Sequence, residues 1–528
     1  MSNKNNKNNL IRILSTSDIH GKIYPHSYGD GSPAKVGFAR VASKLKELRN
    51  DNTLLIDNGD LLVGSPLMIH HMMNYDPALV PSPISKVINK MGYDYINTGN
   101  HDYNFGINPL LKHIEATGAV CLTENVSYNG RSLFSLGRED ESARYQIREV
   151  AGKRIAIFGL VTHFVPRWES EEHLEGLRFF DAFETAKAII SEIKEKGDAD
   201  YIVCVYHGGF EKDPKSGAPI GVATGENQGY RMLTELPDID VLITGHQHMI
   251  FKGVSKDNTA YTQPGADGAL ISCIEINPET GVITADLIEV DTDGDEEILA
   301  LTKDSEDACQ QWMDQVIGTT SMDMKITDEG YSRLNKPQLI TYINKVQLEY
   351  AKGDIAAVAL FQGASGFDED ITVRQIVSTY VFPDNLVLKR ISGKVLREYI
   401  EKDLEYWTVE YDESGEGKVV VNPEYLVPYP QHFNYDLFDG VEYTAKISNP
   451  PGSRLISLTR EGIPVEDDME FHLVISNYRS AGGGNFFMLP ETETLWQDSK
   501  NMIEILVERI MEEKTIAFEP VNNIKIIV

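Results

Sequence analysis

The chain has 528 residues, 41% hydrophobic and 24% charged, with 49 basic against 80 acidic side chains and a formal net charge of −31. At roughly 100–200 residues per domain this is a soluble multidomain composition, which excludes a disordered or fibrous chain. The acidic excess repels phosphate backbones and anionic lipid, so a small-molecule substrate is expected as partner, and duplex nucleic acid or a membrane surface is not.

No stretch approaches the ~18 consecutive apolar residues of a membrane span. The start, residues 1–9, is Asn/Lys-rich with no hydrophobic region behind it, so the chain as written is expected in the cytoplasm. Cys121, Cys204, Cys273 and Cys309 lie far apart without a CxxC spacing and read as reduced, structural thiols. Oligomeric state leaves no trace in the sequence.

In chain order, strand-like runs at 10–15, 53–56, 95–97, 154–160, 201–206 and 241–244 alternate with amphipathic stretches such as 36–48 and 182–196. This alternation predicts an α/β layered domain. An acidic turn near 291–297 closes it, so 1–297 is expected as one domain and the polar helical stretch 298–350 as a linker helix region without strands. A smaller α/β domain is expected over 351–528, with strands near 355–361, 386–391, 419–421, 442–447 and 471–476 and helices near 394–404 and 501–513.

Five of the six runs in the first half end in residues of metal-ligand type: Asp18 and His20, Asp57 and Asp60, Asn100 and His101, His207, and His246 with His248. Loops at the carboxyl ends of strands converge on one crevice in such folds, which gathers these residues. Carboxylate, amide oxygen and imidazole without thiolate suit Mn, Zn or similar divalent ions. So many ligands exceed the needs of one ion and suit two ions sharing a carboxylate, a clamp for in-line displacement at phosphorus. Glycines beside the ligands, in Asp57-Asn58-Gly59-Asp60, Gly99-Asn100-His101-Asp102 and Gly245-His246-Gln247-His248, are expected to let the backbone turn sharply there.

The motifs TSDIHG, DNGDLLVGSPL, GNHDYNFG and GHQH, followed by FNYDLFDGVEY and SNYRSAGGGNF, resemble the calcineurin-like dinuclear metallophosphoesterases of the 5′-nucleotidase family. Within it they look like the bifunctional 2′,3′-cyclic-nucleotide 2′-phosphodiesterase/3′-nucleotidase branch. The resemblance covers nearly the whole chain and implies a four-layer α/β/β/α metallophosphoesterase domain followed by an α/β nucleotide-binding domain. It implies that Asp18, His20, Asp60 and His248 hold one metal and Asp60, Asn100, His207 and His246 the other, with Asp60 the bridge. His101 would face the substrate phosphate, oriented by Asn104, where most 5′-nucleotidases have Asp. The stretch Phe361-Gln362-Gly363-Ala364-Ser365-Gly366-Phe367 lacks the Arg of the 5′-nucleotidase loop it resembles. Both departures favour cyclic and 3′-nucleotides over 5′-nucleotides. The base would stack between Phe433 and Tyr478, with Tyr435 competing for the first place, and Asn125 is a further substrate-binding expectation. Many relatives are exported or displayed at the cell surface. The alternatives are a 5′-nucleotidase or nucleotide-sugar hydrolase and, from another class, a nucleotide-binding protein that has lost turnover.

Overall fold

The computed structural model describes residues 9–528 apart from 137, 141, 221–223, 381–383 and 428–429. The chain divides into two compact units, 1–310 and 311–528.

The first unit is built on two six-stranded sheets. One contains β1 (Ile11–Thr16), β2 (Thr53–Asp57), β3 (Tyr95–Ile96) and β4 (Val120–Cys121) as parallel neighbours. The other contains β5 (Gln146–Val150), β6 (Lys153–Val161), β7 (Tyr201–His207), β8 (Val241–Thr244), β9 (Ile250–Val254) and β10 (Ala260–Pro264), in the order β9-β10-β8-β7-β6-β5. The chain then returns to the first sheet: β11 (Leu270–Ile276) pairs antiparallel with β1, and β12 (Ile283–Glu289) with β11.

Side-chain alternation sets the layers. Ile155 and Ile157 on β6, and Val203 and Val205 on β7, share one core with Ile11, Ile13, Leu54 and Ile56 of the first sheet. Their neighbours Ala156, Phe158, Cys204 and Tyr206 point the other way, onto Phe183, Ala186, Ile189, Ile190 and Ile193 of the helix Ala182–Lys196. That helix starts where the Asp181 side chain accepts from the Glu184 amide and ends at Gly197 in the left-handed conformation, φ 61°, the expected stop and start chemistry. Each fully buried Ile or Val contributes about 1.5–3 kcal/mol, so the period-2 pattern is enough to fix which face meets which layer. The helices Phe38–Leu48 and Pro83–Met91 bury Val41, Leu45, Ile84 and Ile88 and supply the remaining helical layer. All four cysteines are buried.

The second unit centres on a five-stranded sheet. Its strands are β13 (Ile355–Ala359), β14 (Asn385–Ser392), β15 (Asp436–Asp439), β16 (Glu470–Ser476) and β17 (Glu493–Asn501), in the order β15-β13-β16-β14-β17. The helix Glu296–Met313 crosses the division between the units. Within the stretch expected to be a strand-free linker, Val316–Thr320 is a strand, paired with Asp370–Thr372 and Thr515–Ile516. Its Gly/Thr-rich composition, in which the two buried positions are Gly318 and Thr320, gives it little of the apolar signal by which a buried strand is recognised. No described helix is long and apolar enough to cross a membrane.

Candidate functional site

Each predicted ligand follows directly from a parallel strand of the two sheets. Asp18 and His20 lie beyond β1, Asp60 beyond β2, Asn100 beyond β3, and His246 and His248 beyond β8, while His207 is the last residue of β7. The structure brings all seven together at one end of the two sheets. His207 Nε2 lies 3.3 Å from Asp60 Oδ2 and 3.9 Å from Asp18 Oδ1. His248 Nε2 lies 3.5 Å from Asp18 Oδ1 and 2.9 Å from His20 Nε2. Asn100 Oδ1 is 3.2 Å from His207 Nε2 and 2.7 Å from His246 Nδ1. Two groups with convergent ligand atoms result, Asp18-His20-His248 and Asp18-Asp60-His207. Asp18 is common to these two groups of carboxylates and imidazoles, while Asp60, the expected bridge, faces His207 from the second.

The donor set fits cations and fits hydrogen bonds poorly. His20 Nδ1 is committed to the Val63 carbonyl, His207 Nδ1 to the Asn58 carbonyl and His246 Nε2 to Glu226 Oε1, at 3.1, 2.5 and 2.6 Å. An imidazole that donates from one nitrogen presents a lone pair on the other. Here those lone pairs face oxygen acceptors or another imidazole, the outer-partner pattern of metal-binding histidines. Burial opposes charge on His207, but the Asp60 and Asp18 carboxylates outweigh it and push the group up to about 10. Burial likewise opposes charge on Asp60, yet His207 and His101 hold it well below the usual carboxylate range. The crevice therefore attracts positive charge.

The backbone is bent to suit. Asp18, His20, Asp60, His246 and His248 have φ of 57, 52, 60, 72 and 56°, a left-handed conformation costing non-glycine residues on the order of 1 kcal/mol or more and concentrated at functional sites. The neighbouring glycines act in two ways. Gly59 turns at φ 89°, whereas Gly99 and Gly245 are needed for room: a Cβ at Gly99 would strike the Asp60 carboxylate, and one at Gly245 the side chains of Ser17 and Asp18. Asp57 is not a ligand; it accepts from Thr16 Oγ1 and the Gly59 amide at 2.6 and 2.9 Å. Asp102 accepts from the amides of Asp60, Leu61, Leu62 and Gly99 at 2.8–3.0 Å, stapling the two ligand loops together.

His101 lies beside the centre, its ring edge-on to His20 at 5.7 Å between centroids, and its amide donates to Asp60 Oδ1 at 2.8 Å. Its Nδ1 is 2.8 Å from Asn104 Oδ1. Sequence reading missed Glu226, Trp168, which stacks on His246 at 5.7 Å and 26°, and Glu169, which accepts from Asn104 Nδ2 at 2.6 Å. Asp102 carried a signal inside GNHD. The other three lie in loops without periodicity or motif.

Two substrate-binding expectations are corrected. Asn125 is fully buried, donating to the carbonyls of Val161 and Phe180 at 2.7 and 2.9 Å and accepting from the Val161 amide at 2.9 Å. Both ends of its amide hold backbone, so none is left for a ligand. Tyr435 is also fully buried, stacked on Tyr406 at 4.9 Å and 14° and packed edge-on against Trp407. No face remains for a base.

Phe433 is half-buried and Tyr478 is exposed, with ring centroids 6.1 Å apart and planes at 73°. They meet edge to face; a base inserted between parallel rings needs two contacts of about 3.5 Å each. Tyr478 lies over Gly483, where a Cβ would strike the ring. Buried Arg479 ties the two segments: Nε donates to Asp436 Oδ2 at 2.6 Å, and the two terminal nitrogens to the carbonyls of Gly483 and Phe433 at 2.6 and 2.9 Å.

Residues 11–249 match the calcineurin-like phosphoesterase family and residues 316–491 the 5′-nucleotidase C-terminal domain. The structure of a candidate 5′-nucleotidase from Staphylococcus aureus, in complex with α-ketoglutarate, superposes with a TM-score of 0.86 at 31% identity, covering 98% of this chain and 100% of that one. A 2′,3′-cyclic-nucleotide 2′-phosphodiesterase/3′-nucleotidase of Haemophilus influenzae is 26% identical over 89% of this chain and 80% of its own length. A trifunctional nucleotide phosphoesterase protein of Bacillus subtilis is 24% identical over 97% of this chain, which spans 38% of that relative's length.

Proposed function

This chain belongs to the calcineurin-like metallophosphoesterases of the 5′-nucleotidase family and is a phosphoric ester hydrolase; we propose that it opens 2′,3′-cyclic nucleotides to 3′-nucleotides and then hydrolyses these to nucleosides. The observation that carries the substrate choice is the amide at Asn104 on His101 Nδ1, where most 5′-nucleotidases have Asp. A relative named for the same pair of activities, aligned over 89% of the chain, supports it. The 5′-nucleotidase reading is the competitor, favoured by the description of the Staphylococcus aureus structure.

Asp18, His20 and His248 would hold one divalent ion and Asn100, His207 and His246 the other, with Asp60 shared. Such ions, Mn, Zn or similar, supply when bound Lewis-acid stabilisation of charge on the phosphoryl oxygens and an activated water. The chain's own part is proton delivery and binding. With Nδ1–H held by Asn104 Oδ1, Nε2 is the nitrogen of His101 that takes up and releases the reacting proton: in its protonated form His101 would give the Nε2 proton to the 2′ oxygen as the P–O2′ bond breaks and the new P–O bond to water forms, and be left as the neutral imidazole, a contribution of about 10²–10⁴ in rate. Phe433 and Tyr478 would take the base between their faces, each stack adding about 1–3 kcal/mol.

The test is the metal-stripped protein reloaded with Mn²⁺ or Zn²⁺ and assayed on 2′,3′-cyclic AMP, 3′-AMP and 5′-AMP. The two former are expected to be the better substrates. A kcat/KM for 5′-AMP about tenfold above that for the cyclic nucleotide gives the 5′-nucleotidase reading instead. Full metal loading without turnover of any of the three gives a nucleotide-binding protein.

A further inference from the structure

Behind His101 stands a second partner that no motif points to. Asn104 Oδ1 faces His101 Nδ1 at 2.8 Å, and Asn104 Nδ2 donates to Glu169 Oε2 at 2.6 Å. Glu169 is itself fixed: its side chain is 2% exposed, and Oε1 takes the Ser170 amide at 2.9 Å and His173 Nδ1 at 2.7 Å. An amide side chain alone is an ambiguous partner for an imidazole, since it can turn either its oxygen or its NH₂ towards the ring. A carboxylate, which only accepts, removes the ambiguity. It takes the NH₂ of Asn104, turns the amide oxygen onto His101, and so makes His101 Nδ1 the donor and leaves Nε2 for the substrate side.

We propose that Glu169 is a positioning residue for the hydrolysis, acting through Asn104 to fix the tautomer and orientation of His101. The negative charge that an aspartate at 104 would place in contact with the imidazole is here set one residue further out, relayed by an amide. This rests on His101 being the group that faces the leaving oxygen. It implies that positions 104 and 169 are coupled: a carboxylate is needed at one of them, and two side by side, 2.6 Å apart, repel.

The test is a double-mutant cycle with His101→Asn as reference, read by kinetics on 2′,3′-cyclic AMP and bis(p-nitrophenyl) phosphate, by metal content, and by long-range ¹H–¹⁵N spectra of the histidines. Glu169→Gln is isosteric but offers Asn104 a donor. It should lower kcat by on the order of 10- to 100-fold on 2′,3′-cyclic AMP, the size of loss known for outer partners of metal-site imidazoles, and far less on bis(p-nitrophenyl) phosphate, whose nitrophenolate leaves without a proton. KM and metal content should stay near wild type, while the His101 Nδ1–H signal weakens or moves to Nε2. Asn104→Asp alone should also lose activity, whereas Asn104→Asp combined with Glu169→Gln should recover most of it, a pattern that loss of packing does not produce. If Glu169→Gln keeps wild-type kcat and tautomer while His101→Asn is crippled, the inference is overturned and the role of His101 stands. If His101→Asn keeps full kcat, the role of His101 falls and the catalytic part of the inference with it.

Discussion

The metal centre and the aromatic pair are built in opposite ways. The centre takes seven residues from five strand ends and holds them with buried carboxylates, committed imidazoles and five left-handed backbone positions. The pair takes one ring from the helical turn His432–Asn434 and the other from the short helix Asn477–Ser480, joined where the guanidinium of Arg479 donates to the carbonyls of Phe433 and Gly483. One arrangement fixes ligand atoms; the other joins two backbone segments and sets the rings edge to face instead of parallel. A reaction at phosphorus needs fixed points, whereas a π face tolerates any base, so the difference follows from what each region has to recognise.

The strongest way to break this contrast is at the shared carboxylates. Asp60→Asn is expected to lose most of the bound metal and nearly all activity, because it removes a buried carboxylate charge that lies 3.3 Å from His207 Nε2 in the ligand cluster. Asp18→Asn, measured beside it, shows which carboxylate serves both ions. Metal analysis decides: two equivalents retained at full activity in Asp60→Asn would remove the dinuclear assignment.

Arg479→Met comes next. It strands the Asp436 carboxylate in the core of the second unit with only the Tyr399 hydroxyl at 2.6 Å, and breaking a buried pair this way costs about 3–5 kcal/mol. Hydrogen exchange should accelerate in 433–436 and 477–484 and remain slow in β6 and β7. Equal acceleration in both units would mean that the two sites are not separately stabilised.

The smallest effect belongs to Tyr478→Ala. Losing about 1–3 kcal/mol of stacking corresponds to roughly 5- to 150-fold in affinity, and it should appear in KM because the ring meets the base and not the reacting phosphate. Hydrolysis of bis(p-nitrophenyl) phosphate serves as the control and should change far less. An unchanged KM for 2′,3′-cyclic AMP would move base recognition to other residues.

The same contrast explains what could be read from the sequence. Ligands such as Asp18, His20 and His207 were legible because metal chemistry admits few side-chain types and strand ends admit few positions. Phe433 and Tyr435 are two residues apart with nothing local to tell them apart; only the packing of Tyr406 and Trp407 puts one in the core. Asn125 failed for a related reason, since an amide holding backbone and an amide awaiting a ligand look alike until their neighbours are known. Glu169 and Glu226 were out of reach because outer partners are chosen by distance in space, at no fixed spacing from the residue they serve. Gly99 and Gly245, read from the sequence as turns, serve instead as clearance.

The ligands of the centre run from Asp18 to His248, so the crevice exists only after both sheets have formed and met. Closing loops of that length has an entropic cost that must be met by other contacts first, and here those are the apolar contacts of the sheets. A site of this kind cannot seed the folding of the first unit. Ions held there would be latecomers, latching a scaffold whose left-handed turns are already in place, and chelation is expected to slow the acquisition of activity during refolding without slowing the formation of the sheets.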